Sequence, residues 1–169
     1  MVAYRKPPNL RDILVKSKVP EPPPLRPARL KNGMKKCNKN NCGTCPYVIE
    51  GNRVKSQVTG DLFNINFSSD CETKNLIYCI VCTKCKQNYI GETKRSLKAR
   101  FGDHLGYVRN KNLKEPTGKH FNLPGHNITM MQISVLEKVW SSSDALRKER
   151  ETMYINKFQS KYLGLNRKS

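Results

Sequence analysis

Cysteine and histidine residues supply the sulfur and nitrogen atoms with which this chain could bind metal ions. Cys82 and Cys85 form a CxxC pair, and His120 and His126 lie on either side of Pro124-Gly125. Four ligands of these types suit tetrahedral zinc. All four come from the protein, and no carboxylate accompanies them as a base. The pattern therefore favours a structural zinc that holds this loop against the CxxC turn over a catalytic one.

Four further cysteines form a second predicted zinc site: Cys37, Cys42, Cys45 and Cys71. Four thiolates would close the coordination sphere, so this site is also expected to be structural. Disulfides are the alternative, but seven cysteines cannot all pair within the chain, and we expect an intracellular protein. Cys79 is left over, and we predict that it packs in the core.

Tyrosine, arginine and histidine side chains supply a second kind of chemistry. Tyr78 and Tyr89 lie on two strands that are predicted to pair, and Arg100 and His104 share a face of the next helix. An arginine can neutralise the charge that grows on a phosphodiester under attack. A tyrosine can act as a base only if nearby cations lower its pKa from about 10, and Arg100 would act in that direction.

Glu151 is a carboxylate on an otherwise apolar helix face, with Tyr154, Ile155 and Phe158 at spacings of three, four and seven residues. It could bind a metal ion. The alternative is an ion pair with Arg147, one turn earlier on the same helix.

The elements that must position these side chains follow from the apolar pattern. Residues 76–81 and 87–92 predict a β-hairpin. A helix begins after the cap residue Ser96, a strand covers residues 130–139, and a last helix runs from 142–144 to about Ser160. Both histidines of the first metal site are predicted to lie in one loop.

The first 74 residues divide into two further parts. Residues 1–36 are rich in proline and basic residues and predict a semi-rigid arm, in which Leu10, Ile13 and Leu14 have the spacing of one helical turn. Residues 37–74 predict a small zinc-bound β unit, with strand-like pieces at 47–49, 54–58 and 62–67. Residues 75–169 form the main α/β (α+β) domain.

The net charge of +19 is the feature of the composition that says most about the partner of this chain. Solubility alone requires a net charge of about 2 to 8, so a polyanion such as nucleic acid is the expected partner. An anionic membrane is disfavoured, because no amphipathic basic helix, apolar span or lipidation motif is evident. Lys94, Arg95 and Lys98 are the predicted nucleic-acid contacts.

The order of these residues resembles the GIY-YIG nuclease family. Leu76-Ile77-Tyr78, ten residues, and Tyr89-Ile90-Gly91 match its two motif halves, although Leu76 stands where the family name has glycine. The interleaved cysteines and histidines, the upstream Cys37 to Cys45 group and the basic arm resemble more narrowly the endonuclease of Penelope-like retroelements. That resemblance implies the GIY-YIG fold, a small three-stranded antiparallel sheet flanked by helices.

The resemblance also implies residue roles. Glu151 would bind Mg²⁺ or Mn²⁺, Arg100 would bind the scissile phosphate, and Tyr78 and Tyr89 would position or deprotonate the attacking water. His104 would assist proton movement or phosphate contact, and Asn166 would support the site.

The expected function is a metal-dependent DNA endonuclease in the nucleus, which nicks one strand to prime retrotransposition. A reverse transcriptase of the parent element and its RNA are further expected partners. The alternatives are a non-catalytic zinc-dependent DNA-binding module, a domesticated retroelement remnant, or a zinc-organised scaffold for protein partners. The target preference and the oligomeric state stay open.

Overall fold

The computed structural model describes residues 32–166. The possible helical turn at Leu10, Ile13 and Leu14 lies outside this range. Its strands are β1 (Gly33–Met34), β2 (Arg53–Lys55), β3 (Leu62–Asn64), β4 (Ser68–Ser69), β5 (Leu76–Cys82), β6 (Asn88–Thr93) and β7 (Met131–Lys138). Its helices are α1 (Leu97–Arg109), α2 (Pro116–Phe121), α3 (Asp144–Lys157) and α4 (Ser160–Leu163), with 3₁₀ turns at Cys45–Tyr47 and Ile128–Met130.

A three-stranded antiparallel sheet of order β6-β5-β7 lies at the centre of the molecule. All seven residues of β5 are buried, as expected for a middle strand that is covered on both faces. Tyr78 of β5 lies opposite Gly91 of β6 and Val135 of β7. The predicted hairpin and the predicted third strand are therefore confirmed.

The two long helices begin at the predicted cap residues. The Ser96 hydroxyl accepts from the backbone N–H of Ala99, and the Ser143 hydroxyl accepts from that of Leu146. The predicted loop that carries both histidines differs, because residues 116–121 form the short helix α2. Pro at its first position, where no N–H bond is required, favours this helix start.

The small N-terminal unit consists of two two-stranded sheets, parallel β1-β4 and antiparallel β2-β3. Gly33 and Met34 pair with β4 in this unit, although they fall within the arm predicted for residues 1–36. Met34 is buried, and apolar burial outweighs the basic, proline-rich surroundings from which the arm was predicted. The predicted strand at 47–49 is wrong, because the chain there ends a 3₁₀ turn and forms only an isolated bridge from Val48 to Ile133.

The small unit packs directly on the central sheet and its helices. The ring of Tyr47 lies 5.3 Å from that of Phe101, and Phe63 stacks on Phe158 at 4.4 Å. Buried residues from both parts form one hydrophobic cluster. The protein is a mixed α+β fold, as predicted, and none of the helices described is long and apolar enough to cross a membrane.

Candidate active site and metal clusters

The hydroxyl of Tyr78 is the centre of a polar network on the sheet. Tyr78 is fully buried, Arg100 donates from Nε to its hydroxyl oxygen at 3.0 Å, and Nε2 of His104 lies 2.8 Å away. Arg100 and His104 reach the same atom because they are one turn apart on α1. We call Tyr78, Tyr89, Arg100, His104 and Glu151 the Tyr78 cluster.

Gly91 makes room for this arrangement. A Cβ atom at Gly91 would lie 2.4 Å from the Tyr78 hydroxyl and 2.9 Å from Cε1 of Tyr89. Both distances are shorter than van der Waals contact allows, so the two tyrosine rings can occupy these places only beside a glycine.

The environment of the two tyrosines differs from the expectation of lowered pKa values. Burial raises the pKa of Tyr78 well above its ordinary value, and the nearby Tyr89 adds to the effect. Burial likewise raises the pKa of Tyr89. Arg100 opposes both shifts, as predicted. The desolvation of a buried phenolate nevertheless raises the pKa by more than the charge of Arg100 lowers it. Both hydroxyls are protonated in the resting protein.

His104 is a buried, neutral imidazole. Burial lowers its pKa to about 3, and the charge of Arg100 acts in the same direction. Its Nδ1 lies 2.9 Å from the Thr117 hydroxyl of α2. Thr117 was not predicted as a site residue from the sequence, because its position one turn before His120 becomes evident only once α2 is known to be a helix.

Glu151 is turned toward the end of β6. Its Oε1 accepts from the backbone N–H of Glu92 at 3.1 Å. The alternative interpretation as an ion pair with Arg147 is wrong, because Arg147 pairs with Glu92 and Asp144 instead. Burial raises the pKa of Glu151, and the Glu92 carboxylate adds to this. A bound divalent cation would stabilise the ionised form of this carboxylate, which burial and Glu92 disfavour. The site therefore fits the metal that the resemblance implies.

Asn166 connects the end of the described chain to β6. Its Oδ1 accepts from the backbone N–H of Ile90 at 2.8 Å, and its Nδ2 donates to the carbonyl of Ile90 at 2.7 Å. Ile90 stands between Tyr89 and Gly91. The side chain therefore holds the motif strand in place without facing Tyr78 directly, which fits a supporting role.

The four predicted ligands Cys82, Cys85, His120 and His126 meet in space, with all ligand atoms within 4.8 Å of one another. Sγ of Cys85 lies 3.4 Å from Nε2 of His120. Both ring nitrogens of His126 are buried and have no hydrogen-bond partner among the described residues. Coordination of a metal ion would satisfy one of these nitrogens. This Cys/His cluster could hold zinc between the hairpin turn and α2.

The all-cysteine cluster of Cys37, Cys42, Cys45 and Cys71 also comes together within 4.8 Å. Its Sγ atoms are 3.5 Å apart between Cys37 and Cys45 and 3.7 Å between Cys45 and Cys71. Two thiolates on a tetrahedral zinc would lie about 3.8 Å apart, given Zn–S bonds of about 2.3 Å. Cys79 is buried and belongs to neither cluster, as predicted.

The predicted nucleic-acid contacts lie around the start of α1. Lys94 and Arg95 line a shallow groove there, which Lys74 also borders. Arg95 forms an ion pair with Asp103, and Lys98 forms one with Glu72 at 2.6 Å. Arg95 and Lys98 would have to exchange these acidic partners for phosphate.

An arginine, a buried tyrosine-histidine pair and a carboxylate lie together beside a small antiparallel sheet, and these are groups that could act on a phosphodiester. Residues 74–163, more than half of the chain, match the family model described as the GIY-YIG catalytic domain. The chain belongs to the GIY-YIG family and is a DNA-cleaving nuclease.

Two further comparisons accompany this match. The catalytic domain of the homing endonuclease I-TevI is similar to this chain at 25% sequence identity and a TM-score of 0.46, over 54% of this chain and 96% of that one. The search of curated proteins gives no match.

Proposed function

We propose that the chain is a divalent-metal-dependent endonuclease that nicks one strand of DNA, with the Tyr78 cluster as its active site. The single observation that carries this is the Tyr78 hydroxyl, held between Nε of Arg100 and Nε2 of His104. A buried phenol that contacts both a fixed cation and a neutral imidazole is placed for proton transfer next to a bound phosphate.

Proton movement follows from the protonation states of these groups. Tyr78 is protonated at rest, because its pKa is raised, and His104 is neutral, because burial lowers its pKa. The same burial disfavours an imidazolium, so His104 would hold the proton of Tyr78 only transiently, through the 2.8 Å contact at Nε2. As the attacking water loses a proton to the Tyr78 oxygen, the Tyr78 proton passes to Nε2 of His104. The water oxygen forms its bond to phosphorus, and the bond from phosphorus to the leaving oxygen breaks. The electron pair of that bond stays on the leaving oxygen, which takes a proton from solvent.

Charge on the phosphate is the second requirement of the reaction. Arg100 would bind a phosphate oxygen and remain charged throughout. Mg²⁺ or Mn²⁺ at Glu151 would supply further neutralisation of the phosphate oxygens when it is bound. Lys94, Arg95 and Lys98 would hold the flanking backbone of the DNA.

The biological setting is part of the same proposal. Zinc would occupy the Cys/His cluster and the all-cysteine cluster, and both clusters support an origin in a Penelope-like element, whose endonuclease the ligand pattern resembles. The nick would then prime reverse transcription in the nucleus. The partners would be a reverse transcriptase of the parent element and its RNA.

A supercoiled-plasmid assay with Mg²⁺ tests the activity. We expect the native chain to convert supercoiled plasmid to open circles, and Arg100→Ala and Glu151→Ala to lose this activity by about 100-fold or more. Ser134→Ala is the matched control, because Ser134 is buried opposite Cys79, on the sheet face away from Tyr78. A native chain that binds DNA but never nicks it would leave the non-catalytic binding module as the function.

A further inference from the structure

Thr117 contacts His104 of the candidate active site at the ring nitrogen opposite the one that meets Tyr78. Its hydroxyl lies 2.9 Å from Nδ1 of His104, and both residues are almost completely buried. Nε2 of the same ring lies 2.8 Å from Tyr78. The imidazole is thus bonded at both nitrogens, and Thr117 is its only partner at Nδ1 among the hydrogen bonds of residues 32–166.

The directions of these two hydrogen bonds follow from the chemistry of the partners. A neutral imidazole has one N–H, so it donates from one nitrogen and accepts at the other. The phenol of Tyr78 is a far stronger hydrogen-bond donor than the aliphatic hydroxyl of Thr117, and Arg100 already donates to the Tyr78 oxygen. The favoured arrangement has Tyr78 donating to Nε2 of His104 and Nδ1–H donating to Thr117.

We infer that Thr117 is a positioning residue, whose hydroxyl holds His104 in the Nδ1–H tautomer and so keeps Nε2 open to the proton of Tyr78. The inference rests on the proposed function, because it concerns the proton acceptor of that reaction. Thr117 is completely buried, so it is not placed to meet a substrate. It acts only through the ring of His104.

Helix α2 is built to keep Thr117 in this position. A Cβ at the next residue, Gly118, would lie 2.1 Å from the carbonyl oxygen of Asn112, so α2 packs backbone to backbone against the loop after α1. One turn after Thr117, His120 belongs to the Cys/His cluster. The same short helix therefore joins the metal cluster to the histidine of the active site.

Two substitutions separate the hydroxyl from the volume of the side chain. Thr117→Val keeps the shape and removes the hydrogen-bonding oxygen, whereas Thr117→Ser keeps the oxygen. The control is Ser134→Ala, which removes a buried hydroxyl from the opposite face of the sheet. Each protein is purified with Zn²⁺, and its melting temperature is measured to confirm that it folds.

Two readouts are measured on each variant. The first is the ¹⁵N NMR spectrum of histidine-labelled protein, which reports the tautomer of each ring and is simple to assign because the chain has three histidines. The second is the single-turnover rate of plasmid nicking. We expect the Nδ1–H tautomer in the native chain, the Ser variant and the control. In Thr117→Val the Nδ1–H group loses its acceptor while Tyr78 still favours donation to Nε2, so we expect a mixture of the two tautomers and a rate about 10- to 100-fold lower.

Several results would overturn the inference. A native chain with the Nε2–H tautomer would do so, as would a Val variant that keeps both the native tautomer and the native rate. Equal losses in the Ser and Val variants would assign the effect to packing. If the native chain does not nick at all, the proposed function fails, and the NMR comparison alone then decides whether Thr117 sets the tautomer of His104.

Discussion

The Tyr78 cluster and the all-cysteine cluster depend on the rest of the molecule in opposite ways. Tyr78 lies on β5, a fully buried middle strand of seven residues, and its polar partners Arg100 and His104 lie on α1, a helix with its own buried apolar face. The all-cysteine cluster joins the loop 37–45 to Cys71 in a unit whose strands have only two or three residues. Strands this short bury too little apolar surface to be stable by themselves.

This difference indicates in which part of the chain side chains can be altered chemically without loss of the fold. We expect the sheet to persist when polar groups of the Tyr78 cluster are removed. We expect the small unit, in contrast, to need metal bound by its cysteines, because its own apolar core is small. The Cys/His cluster should be intermediate, since it lies at the end of the β5-β6 hairpin and includes His120 of α2. Five measurements test this comparison.

The largest effect is expected from Tyr78→Phe, which removes one oxygen atom from the centre of the network. We expect plasmid nicking to fall by about 100- to 1,000-fold, because the proton path and the contact with Arg100 are both lost. The melting temperature should fall only slightly, since the ring still fills its place. Extensive unfolding of this variant would contradict the independence of sheet and site.

The second effect concerns the stability of the small unit. Cys71→Ser should release one metal ion and lower the free energy of unfolding by more than about 3 kcal/mol. Metal content measured by mass spectrometry and hydrogen exchange across residues 33–69 check this. Protection should be lost first there, because the four cysteines tie the loop 37–45 to Cys71 beside β1 to β4. Unchanged exchange after metal loss would refute the structural role.

A smaller and more local change is expected from Cys85→Ser in the Cys/His cluster. Cys85 lies in the hairpin turn, so the sheet should remain while α2 loosens and Thr117 moves from His104. We predict a nicking rate about 10-fold lower and increased hydrogen exchange confined to residues 116–126. Global unfolding comparable to that of Cys71→Ser would show that the two clusters are equivalent.

The fourth effect is a dependence of stability on pH. The pKa of His104 is about 3 in the folded chain against an ordinary value of 6.5. Between these values the unfolded chain binds one more proton, so stability falls as the pH falls through this window. His104→Gln should make that slope shallower by at most about 1.4 kcal/mol per pH unit, measured by urea unfolding at several pH values. Equal slopes would contradict a buried, neutral His104.

The smallest effect is expected from Cys79→Ala. Cys79 packs in the core, and burial raises the pKa of its thiol to about 12, so the group is an inert thiol. We expect a loss of about 1 kcal/mol in unfolding free energy and no change in metal content. Loss of a metal ion from this variant would show that Cys79 is a ligand after all.

Much of the site could be predicted because its residues follow regular elements. Spacing placed Arg100 and His104 on one helix face, and strand alternation separated Tyr78 from Cys79. The prediction was less successful where short segments are stabilised by distant contacts. The 3₁₀ turn at Cys45–Tyr47 and the helix α2 are examples, since neither is long enough for a periodic apolar pattern.

Residue types and spacing by themselves determined the two ligand sets, the basic charge and the order of the motif residues. These properties depend only on residues that are near one another in the sequence, and they predict the family of the protein. Only the tertiary structure decided that Thr117 meets His104, that Arg147 pairs with Glu92 in place of Glu151, and that burial raises the pKa of Tyr78 despite Arg100. The physical reason is that partner choice and desolvation depend on which distant segments pack together, and no local pattern encodes that packing.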